Sequence, residues 1–345
     1  MPEGSLREFI AQSLKIHPDN EFHILSYLSM DLPGALIAEP MEPEDVPVDL
    51  FSSHGQIKAV KFDKLNQENK FSLAGVQMKF SMKEKDGRYN LSKGNLHQDN
   101  ILGDWIVKTP STKHQDVPAN EFTAMTLASL IGVDIPDIKL VQLSQLDNLP
   151  QINLPNEKLA FAIKRIDRNE GQRIHMEDFA QVLVKYPHEK YNSGNYEQIA
   201  RILYQFSEDG LSDTQQLARR LLANILLANG NAHLKNWSLL YVDKITPRLS
   251  PAYDIVTTSV YMENEQHFAL NLAKSKAWYD VSYDHFEYWA KKSEIPWRAI
   301  KPHLDDAMEQ ARSLWPTALK DLPMNEKHKQ QLIQHWQRLH KNFGI

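Results

Sequence analysis

The stretch that decides the fold is ANGNAHLKNWSL, residues 228–239, which is followed by SPAYDI, residues 250–255. Asn231 and Asn236 lie five residues apart in a polar loop between a helical pattern and an apolar, strand-like segment. Asp254 stands at the end of the next strand-like segment. Amide and carboxylate oxygens are ligands that Mg²⁺ prefers. Spacing alone is more typical of an ordinary polar loop, so other segments must decide between the two interpretations.

The spacing has the logic of phosphoryl transfer. A kinase catalytic loop carries an acidic base and, five residues later, an asparagine that holds magnesium, while an aspartate after the next strand is a second magnesium ligand. Asn236 and Asp254 are therefore the predicted metal ligands. Asn231 occupies the position of the base, and its amide has nearly the size of a carboxylate but cannot accept a proton as one does.

Composition sets the broad class of the protein. The 345 residues are 42% hydrophobic and 24% charged, which is ordinary for a soluble globular chain and long enough for a two-lobed enzyme. A net charge of -5 argues against nucleic acid as the default partner. The absence of cysteine excludes disulfides and fits a cytoplasmic location. No signal peptide or membrane-length apolar run is present, so we expect no membrane contact.

The order of the predicted elements is a strand-rich half followed by a helix-rich half. Predicted strands are IKAVKF (57–62), the hairpin MKFSMKEKDGRYNLS (78–92), DWIVKTP (104–110), IKLVQL (138–143), LAFAIKRI (159–166) and WSLLYV (237–242). Predicted helices are one or two within 4–31, then 118–131, HMEDFAQVL (175–183), 196–207, 213–228 and about 325–341. Residues 39–49 are predicted to be a linker or surface loop. The pattern predicts an α+β fold with an N-terminal lobe at 1–168 and a helical C-terminal lobe at 169–345.

Seven segments, in order, resemble the HipA family. The loop and SPAYDI resemble the family pattern GN-x-D-x-HxKN followed by P-x-YD. The other matching segments are DLPGAL (31–36), FSLAGVQMKF (71–80), WIVKTP (105–110), ANEF (119–122), AIKRIDR (162–168) and IHMEDFAQVL (174–183). The resemblance spans about residues 31–275 and implies a bilobal, protein-kinase-like fold that uses ATP and Mg²⁺.

The resemblance also implies a nucleotide site. Residues expected to contact ATP are Ala74, Gly75, Val76, Gln77 and Lys79 in the phosphate loop, Lys108 on a strand, Lys164 and Ile166 in the hinge, and His233 and Tyr253 near the catalytic loop. Glu121 could orient Lys108 through an ion pair, although its neighbour Asn120 belongs to the same motif. Taken singly, each of these residues has an ordinary structural interpretation, such as a solvent-facing lysine at Lys108.

The function that the resemblance implies is a serine/threonine kinase toxin of a toxin–antitoxin pair. Such a protein transfers the γ-phosphate of ATP to an aminoacyl-tRNA synthetase, tryptophanyl or glutamyl, and autophosphorylates at the position of Ser72. Its expected partners are an antitoxin of the HipB type and a small HipS-like protein, with DNA contacted only through the antitoxin. The chain length is closest to that of the shorter HipT toxins.

Asn231 departs from the family pattern, which has aspartate there. We expect retained Mg-ATP binding with strongly reduced transfer. The chain could be a natural pseudokinase that binds ATP or a partner, or the asparagine could be a deliberate substitution that disarms a toxic kinase; we favour the second, because the rest of the site is intact. A small-molecule phosphotransferase of the aminoglycoside type has a similar loop, but the segment at Ser72 and HMEDF argue against it. The basic final helix is expected to be a solvated face.

Overall fold

The computed structural model describes residues 4–28, 31–38, 77–91, 102–191, 193–262 and 265–345. Its helices are α1 Gly4–Leu14, α2 Glu21–Leu28, α3 Val117–Leu130, α4 Phe179–Val182, α5 Tyr196–Phe206, α6 Gly210–Leu226, α7 Tyr283–Lys292, α8 Trp297–Asp321 and α9 Glu326–Arg338. Its strands are β1 Lys79–Lys85, β2 Arg88–Leu91, β3 Trp105–Lys108, β4 Ile138–Gln142, β5 Leu146–Asp147, β6 Leu159–Lys164, β7 Arg168–Asn169, β8 Gln172–Arg173, β9 His175–Asp178, β10 Ser238–Tyr241, β11 Arg248–Leu249, β12 His267–Leu272 and β13 Ser275–Ala277.

A six-stranded sheet in the order β4-β6-β3-β1-β2-β5 forms the first half of the fold. All neighbours pair antiparallel except β2 and β5, which are parallel. Asp86 and Gly87 join β1 to β2 with φ angles of 54° and 76°. Two consecutive positive φ values are the signature of a tight hairpin turn, so the predicted hairpin is confirmed.

Strand β6 separates two hydrophobic cores because successive side chains of a strand face opposite ways. Ala160 and Ala162 pack in the smaller core, with apolar residues of α1, α2 and the sheet. Phe161 and Ile163 pack in the larger core, which contains the helices of the second half. The α+β class is therefore confirmed, with two hydrophobic cores on opposite faces of one sheet.

Helix α3 belongs to the larger core although it precedes residue 168. Its apolar residues include Met125 and Leu127, and the indole of Trp315 in α8 donates to the carbonyl oxygen of Leu127 at 2.9 Å. The helix thus packs with the helices of the second half of the fold. The boundary at 168 stays a prediction.

Two predicted features of the second half are wrong. HMEDFAQVL does not form one helix: His175–Asp178 is strand β9, which pairs antiparallel with β10, and only Phe179–Val182 is helical. Asp178 begins that helix through a capping box with Gln181, in which each side chain accepts from the other's backbone N–H at 2.9 Å. The hairpin β12–β13 lies within the C-terminal lobe, 169–345, that was predicted to be helical. The loop predicted at 39–49 and the strand predicted at 57–62 lie outside the described residues.

The basic face predicted for the last helix is only partly solvated. Lys329 and His335 are buried in α9. Lys329 Nζ donates to the carbonyl oxygen of Lys320 at 3.0 Å, and His335 Nε2 lies 2.8 Å from the carbonyl oxygen of Ile225. None of the helices formed by the described residues is long and apolar enough to cross a membrane.

Burial of His335 predicts a loss of stability in mild acid. Burial is the main cause that lowers the pKa of His335 to about 4, from an ordinary value near 6.5. The unfolded chain therefore takes up a proton as the pH falls through about 6.5, whereas the folded protein does so only near the lowered pKa. His335→Gln should remove about 2 kcal/mol of the fall in unfolding free energy between pH 7 and pH 4.5. Urea unfolding of both proteins measures this difference, and a difference that does not change with pH would contradict the assignment.

Candidate active site

Two lysines meet on one face of the sheet. Lys79 in β1 and Lys108 in β3 are direct partners across the antiparallel pair, so their side chains lie on the same side. Both are buried, and Lys79 Nζ lies 3.3 Å from Oδ2 of Asp254 while Lys108 Nζ contacts its Oδ1. Lys108 Nζ also lies 2.5 Å from Oε1 of Glu121 in α3. Two cations and two carboxylates thus form one cluster.

Burial and pairing act against each other in this cluster. Burial alone would raise the pKa of Asp254, but Lys108 and Lys79 lower that pKa well below its usual value. Burial alone would lower the pKa of Lys108, but the carboxylates of Asp254 and Glu121 raise it above its usual range. Burial prevails at the other two groups, raising the pKa of Glu121 and lowering that of Lys79. Lys108 and Asp254 are therefore the firmly charged pair.

Asn120 bonds to the backbone of Thr257, so Glu121 and not Asn120 pairs with Lys108. Its Nδ2 donates to the carbonyl oxygen of Thr257 at 3.2 Å, and its Oδ1 accepts from the Thr257 N–H at 2.9 Å. Asn120 thereby joins α3 to the segment after Asp254, and leaves Glu121 for Lys108. Asp254 itself has a φ of 55°, in the left-handed region that non-glycine residues rarely adopt and that recurs at functional sites.

The catalytic-type loop is held by its own asparagines. The N–H of Asn231 donates to Asn229 Oδ1 at 3.0 Å, and its carbonyl oxygen accepts from Asn236 Nδ2 at 2.7 Å. The five-residue spacing seen in the sequence is thus closed by a direct hydrogen bond. Because the amide nitrogen of Asn236 is used in this bond, its Oδ1 is the atom available to a cation.

Arg220 is a residue of the site that sequence reasoning missed. It is buried in α6, donates to the carbonyl oxygen of Asn236, and lies over the rings of Trp237 and Tyr253 at 4.3 and 5.6 Å from their centroids. Burial lowers its pKa to about 10, so it remains mostly protonated at neutral pH. An arginine within the apolar stripe of LARRLLANIL was the signal that could have identified it.

Tyr253 and His233 both line the cleft, and their contact with ATP stays a prediction. The Tyr253 hydroxyl donates to the carbonyl oxygen of Lys235 at 3.1 Å and lies 2.5 Å from Ser238 Oγ. The ring of His233 packs edge-to-face on Tyr191 at 4.9 Å. These contacts brace the loop from both sides.

Two of the three backbone N–H groups of the hinge, residues 164–166, donate to backbone carbonyl oxygens. The N–H of Lys164 donates to the carbonyl oxygen of Asp137 and that of Arg165 to the carbonyl oxygen of Asp104, both at 2.8 Å. Within the described part of the chain, the Ile166 N–H has no such partner and is the hinge donor that a base could use. The side chain of Gln77 donates to the carbonyl oxygen of Thr109 at 2.7 Å. This bond joins the segment just before β1 to the residue just after β3.

A buried ion network ties the N-terminal segment to the hinge. The Arg165 guanidinium donates to Asp31 at 2.8 Å and to Asp167 at 2.7 Å. Arg168 donates to the same Asp31 at 2.9 Å, and the N–H of Gly34 donates to Asp167 at 2.7 Å. Asp167 and Arg168 therefore brace the segment that follows β6.

One cleft of about 760 Å³ brings the described site residues together. Its lining includes Gln77, Lys79, Lys108, Lys164, Ile166, Asn231, His233, Asn236, Tyr253 and Asp254. Ser72, Ala74, Gly75 and Val76 lie outside the described residues, so their roles stay predictions.

The geometry defines a protein of the kinase class: a lysine–glutamate pair and an aspartate in the segment after β11 share a cleft with a loop asparagine. Residues 71–315 match the family model of the HipA-like C-terminal domain, and residues 1–39 match that of the HipA N-terminal domain. The chain belongs to the HipA-like family. DLPGAL lies within the second match, near its end.

Relatives cover nearly the whole chain. The chain is 39% identical over 330 residues to Y4dM of Sinorhizobium fredii, whose name describes it as a kinase, covering 95% of this chain and 77% of that protein. It is 22% identical to the serine/threonine-protein kinase toxin HipA of Shewanella oneidensis, over 78% of this chain and 64% of that protein. A solved Shewanella oneidensis complex of HipA, HipB and operator DNA contains a chain with a TM-score of 0.72 and 19% identity, covering 98% of this chain and 83% of that one.

Proposed function

We propose that this chain is an ATP-dependent serine/threonine protein kinase toxin whose transfer step is impaired by Asn231. The observation that carries the proposal is the buried cluster of Lys108, Glu121 and Asp254, which shares one cleft with Asn236. The cluster is the part of a kinase site that positions phosphates and metal. It is intact, whereas the position of the base carries an amide.

The donor set fits magnesium. No group of three or more histidine, aspartate or glutamate side chains that could hold a metal occurs in the part of the chain that the structure describes. Asn236 Oδ1 and the Asp254 carboxylate would hold Mg²⁺, which is commonly bound by one or two protein oxygens together with substrate phosphates. When bound, the ion neutralises phosphate charge.

Lys79 and Lys108 would bind the phosphates of ATP. Lys79 and Lys108 now neutralise Asp254 and Glu121, so the cluster holds two positive and two negative groups. Lys108 would reach the α- and β-phosphates while Glu121 keeps it in place. The Ile166 N–H would donate to the adenine edge.

The substrate and partners of this proposal are those that the resemblance to the HipA family implies. We propose transfer to an aminoacyl-tRNA synthetase, tryptophanyl or glutamyl, and autophosphorylation on Ser72. The Shewanella complex contains HipB and operator DNA, which supports an antitoxin of the HipB type for this chain, with DNA reached through it. A small HipS-like protein and a cytoplasmic location remain part of the proposal.

Asn231 favours a second candidate, a pseudokinase that binds ATP without transferring phosphate. Its side chain lies in the cleft at the base position, where an amide cannot accept a proton. The two candidates share the nucleotide site and differ only in the chemistry at this residue.

Incubation of the Asn231→Asp variant with a bacterial lysate and ATP labelled in its γ-phosphate tests the proposal. We expect one labelled band that mass spectrometry identifies as an aminoacyl-tRNA synthetase. The Asn231→Asp, Asp254→Asn double variant is the control, and it should label nothing. Label in a small molecule would favour a small-molecule phosphotransferase, and a lack of label would contradict the toxin kinase.

A further inference from the structure

The backbone of Asn231 is held on both sides. Its N–H donates to Asn229 Oδ1 at 3.0 Å, and its carbonyl oxygen accepts from Asn236 Nδ2 at 2.7 Å and from the N–H of His233 at 2.8 Å. These three bonds fix the backbone of Asn231 against the loop, whereas its side chain can still rotate. The residue that contacts the side-chain amide of Asn231 therefore determines which of its polar atoms, Oδ1 or Nδ2, faces the cleft.

That contact is Tyr191, which comes from the segment between α4 and α5. Its hydroxyl donates to Asn231 Oδ1 at 2.7 Å. The amide oxygen is thus engaged, and Nδ2 is the remaining polar atom of the side chain. Asn231 Nδ2 makes no hydrogen bond to any of the described residues, and the residue lines the cleft.

Tyr191 is itself well anchored. Its ring packs edge-to-face on His233 with 4.9 Å between the centroids. Its carbonyl oxygen accepts from Lys276 Nζ at 3.3 Å, and the preceding residue, Lys190, accepts from the N–H of Leu234 at 3.2 Å. The segment is therefore attached to the loop by backbone as well as by rings, and the hydroxyl is aimed at residue 231.

We propose that Tyr191 is a positioning residue, which orients the Asn231 amide so that its NH₂ group donates to the terminal phosphate of a bound nucleoside triphosphate. This inference rests on the nucleotide binding in the proposed function and extends it. A hydrogen bond to a charged group is stronger than one between neutral groups. Only a triphosphate has the third phosphate, so the chain should prefer a triphosphate to a diphosphate. An aspartate at this position would lack the donor and would repel that phosphate.

Calorimetric titration with the Mg²⁺ complexes of ADP and of the β,γ-imido analogue of ATP tests this role. The chain as it stands should bind the analogue more tightly than ADP, and Tyr191→Phe should reduce that preference about fivefold while ADP affinity is unchanged. Phenylalanine keeps the ring on His233 and removes only the hydroxyl. Tyr288→Phe is the matched control: Tyr288 lies on α7, outside the lining of the cleft, and its hydroxyl bonds to none of the described residues.

A double-mutant cycle separates positioning from a general structural effect. Asn231→Ala should abolish the preference for the analogue, and adding Tyr191→Phe to Asn231→Ala should change nothing further, because Tyr191 acts through Asn231. An unchanged preference in Tyr191→Phe, or equal weakening of ADP and the analogue, would overturn the positioning role and leave the proposed function standing. Failure of both nucleotides to bind the parent would overturn the two together.

Discussion

Asn231→Asp is expected to raise the rate of phosphoryl transfer by about 10²–10⁴-fold, the range that a positioned general base contributes. The reason is that the other parts of the site are in place: Lys108 pairs with Glu121, and Asn236 is bonded to the backbone of residue 231. A carboxylate there can accept the proton of a substrate hydroxyl, whereas the amide cannot. Incorporation of labelled γ-phosphate into the protein itself, with the modified residue located by mass spectrometry, measures the gain and tests Ser72.

Asn195→Asp is the matched control for this change. Asn195 is the N-cap of α5, where its side chain accepts from the N–H of Gln198 at 2.8 Å, and aspartate caps a helix equally well. The control therefore adds the same charge to the chain while leaving residue 231 unchanged. Equal, undetectable transfer by both variants, with nucleotide binding retained, would favour the pseudokinase.

Arg165→Met is expected to lower the free energy of unfolding by about 3–5 kcal/mol, as is typical when one partner of a buried ion pair is removed. The Arg165 side chain is fully buried and bonds Asp31, Ser81 and Asp167. Methionine fills a similar volume but removes one of the two arginines that pair with the buried carboxylates of Asp31 and Asp167, the other being Arg168. Guanidinium unfolding at neutral pH measures the loss.

Lys301→Met serves as the comparison for that experiment. Lys301 pairs with Asp305 one turn along α8 at 2.7 Å, but both side chains are nearly half exposed. Exposed pairs of this kind contribute less than about 0.5 kcal/mol. A loss in Arg165→Met no larger than the one in Lys301→Met would show that the network at the hinge does not hold the N-terminal segment.

Local sequence patterns were sufficient to predict many of the helices and strands and some of the residues of the candidate site. The hairpin within 78–92, the strand within 104–110 and the helix at 118–131 were predicted correctly to within three residues, because turn chemistry and periodicity depend on near neighbours in the chain. Asn231 and Asn236 could be paired from their spacing, because a loop of this length lets the side chain of Asn236 reach the backbone of Asn231. HMEDFAQVL was wrong because pairing of β9 with β10 overrode a helical pattern.

The sequence by itself thus determined that a strand-rich half precedes a helix-rich half, and it marked Lys108, Asn231, Asn236 and Asp254 as candidate site residues. Only the tertiary structure decided that Glu121 rather than Asn120 pairs with Lys108, that Arg220 supports the loop, and that Tyr191 contacts Asn231. The physical reason is distance along the chain. These contacts join residues that no shared period or spacing relates, and they form only when the sheet and the helices pack and burial requires each charged or polar group to find a partner.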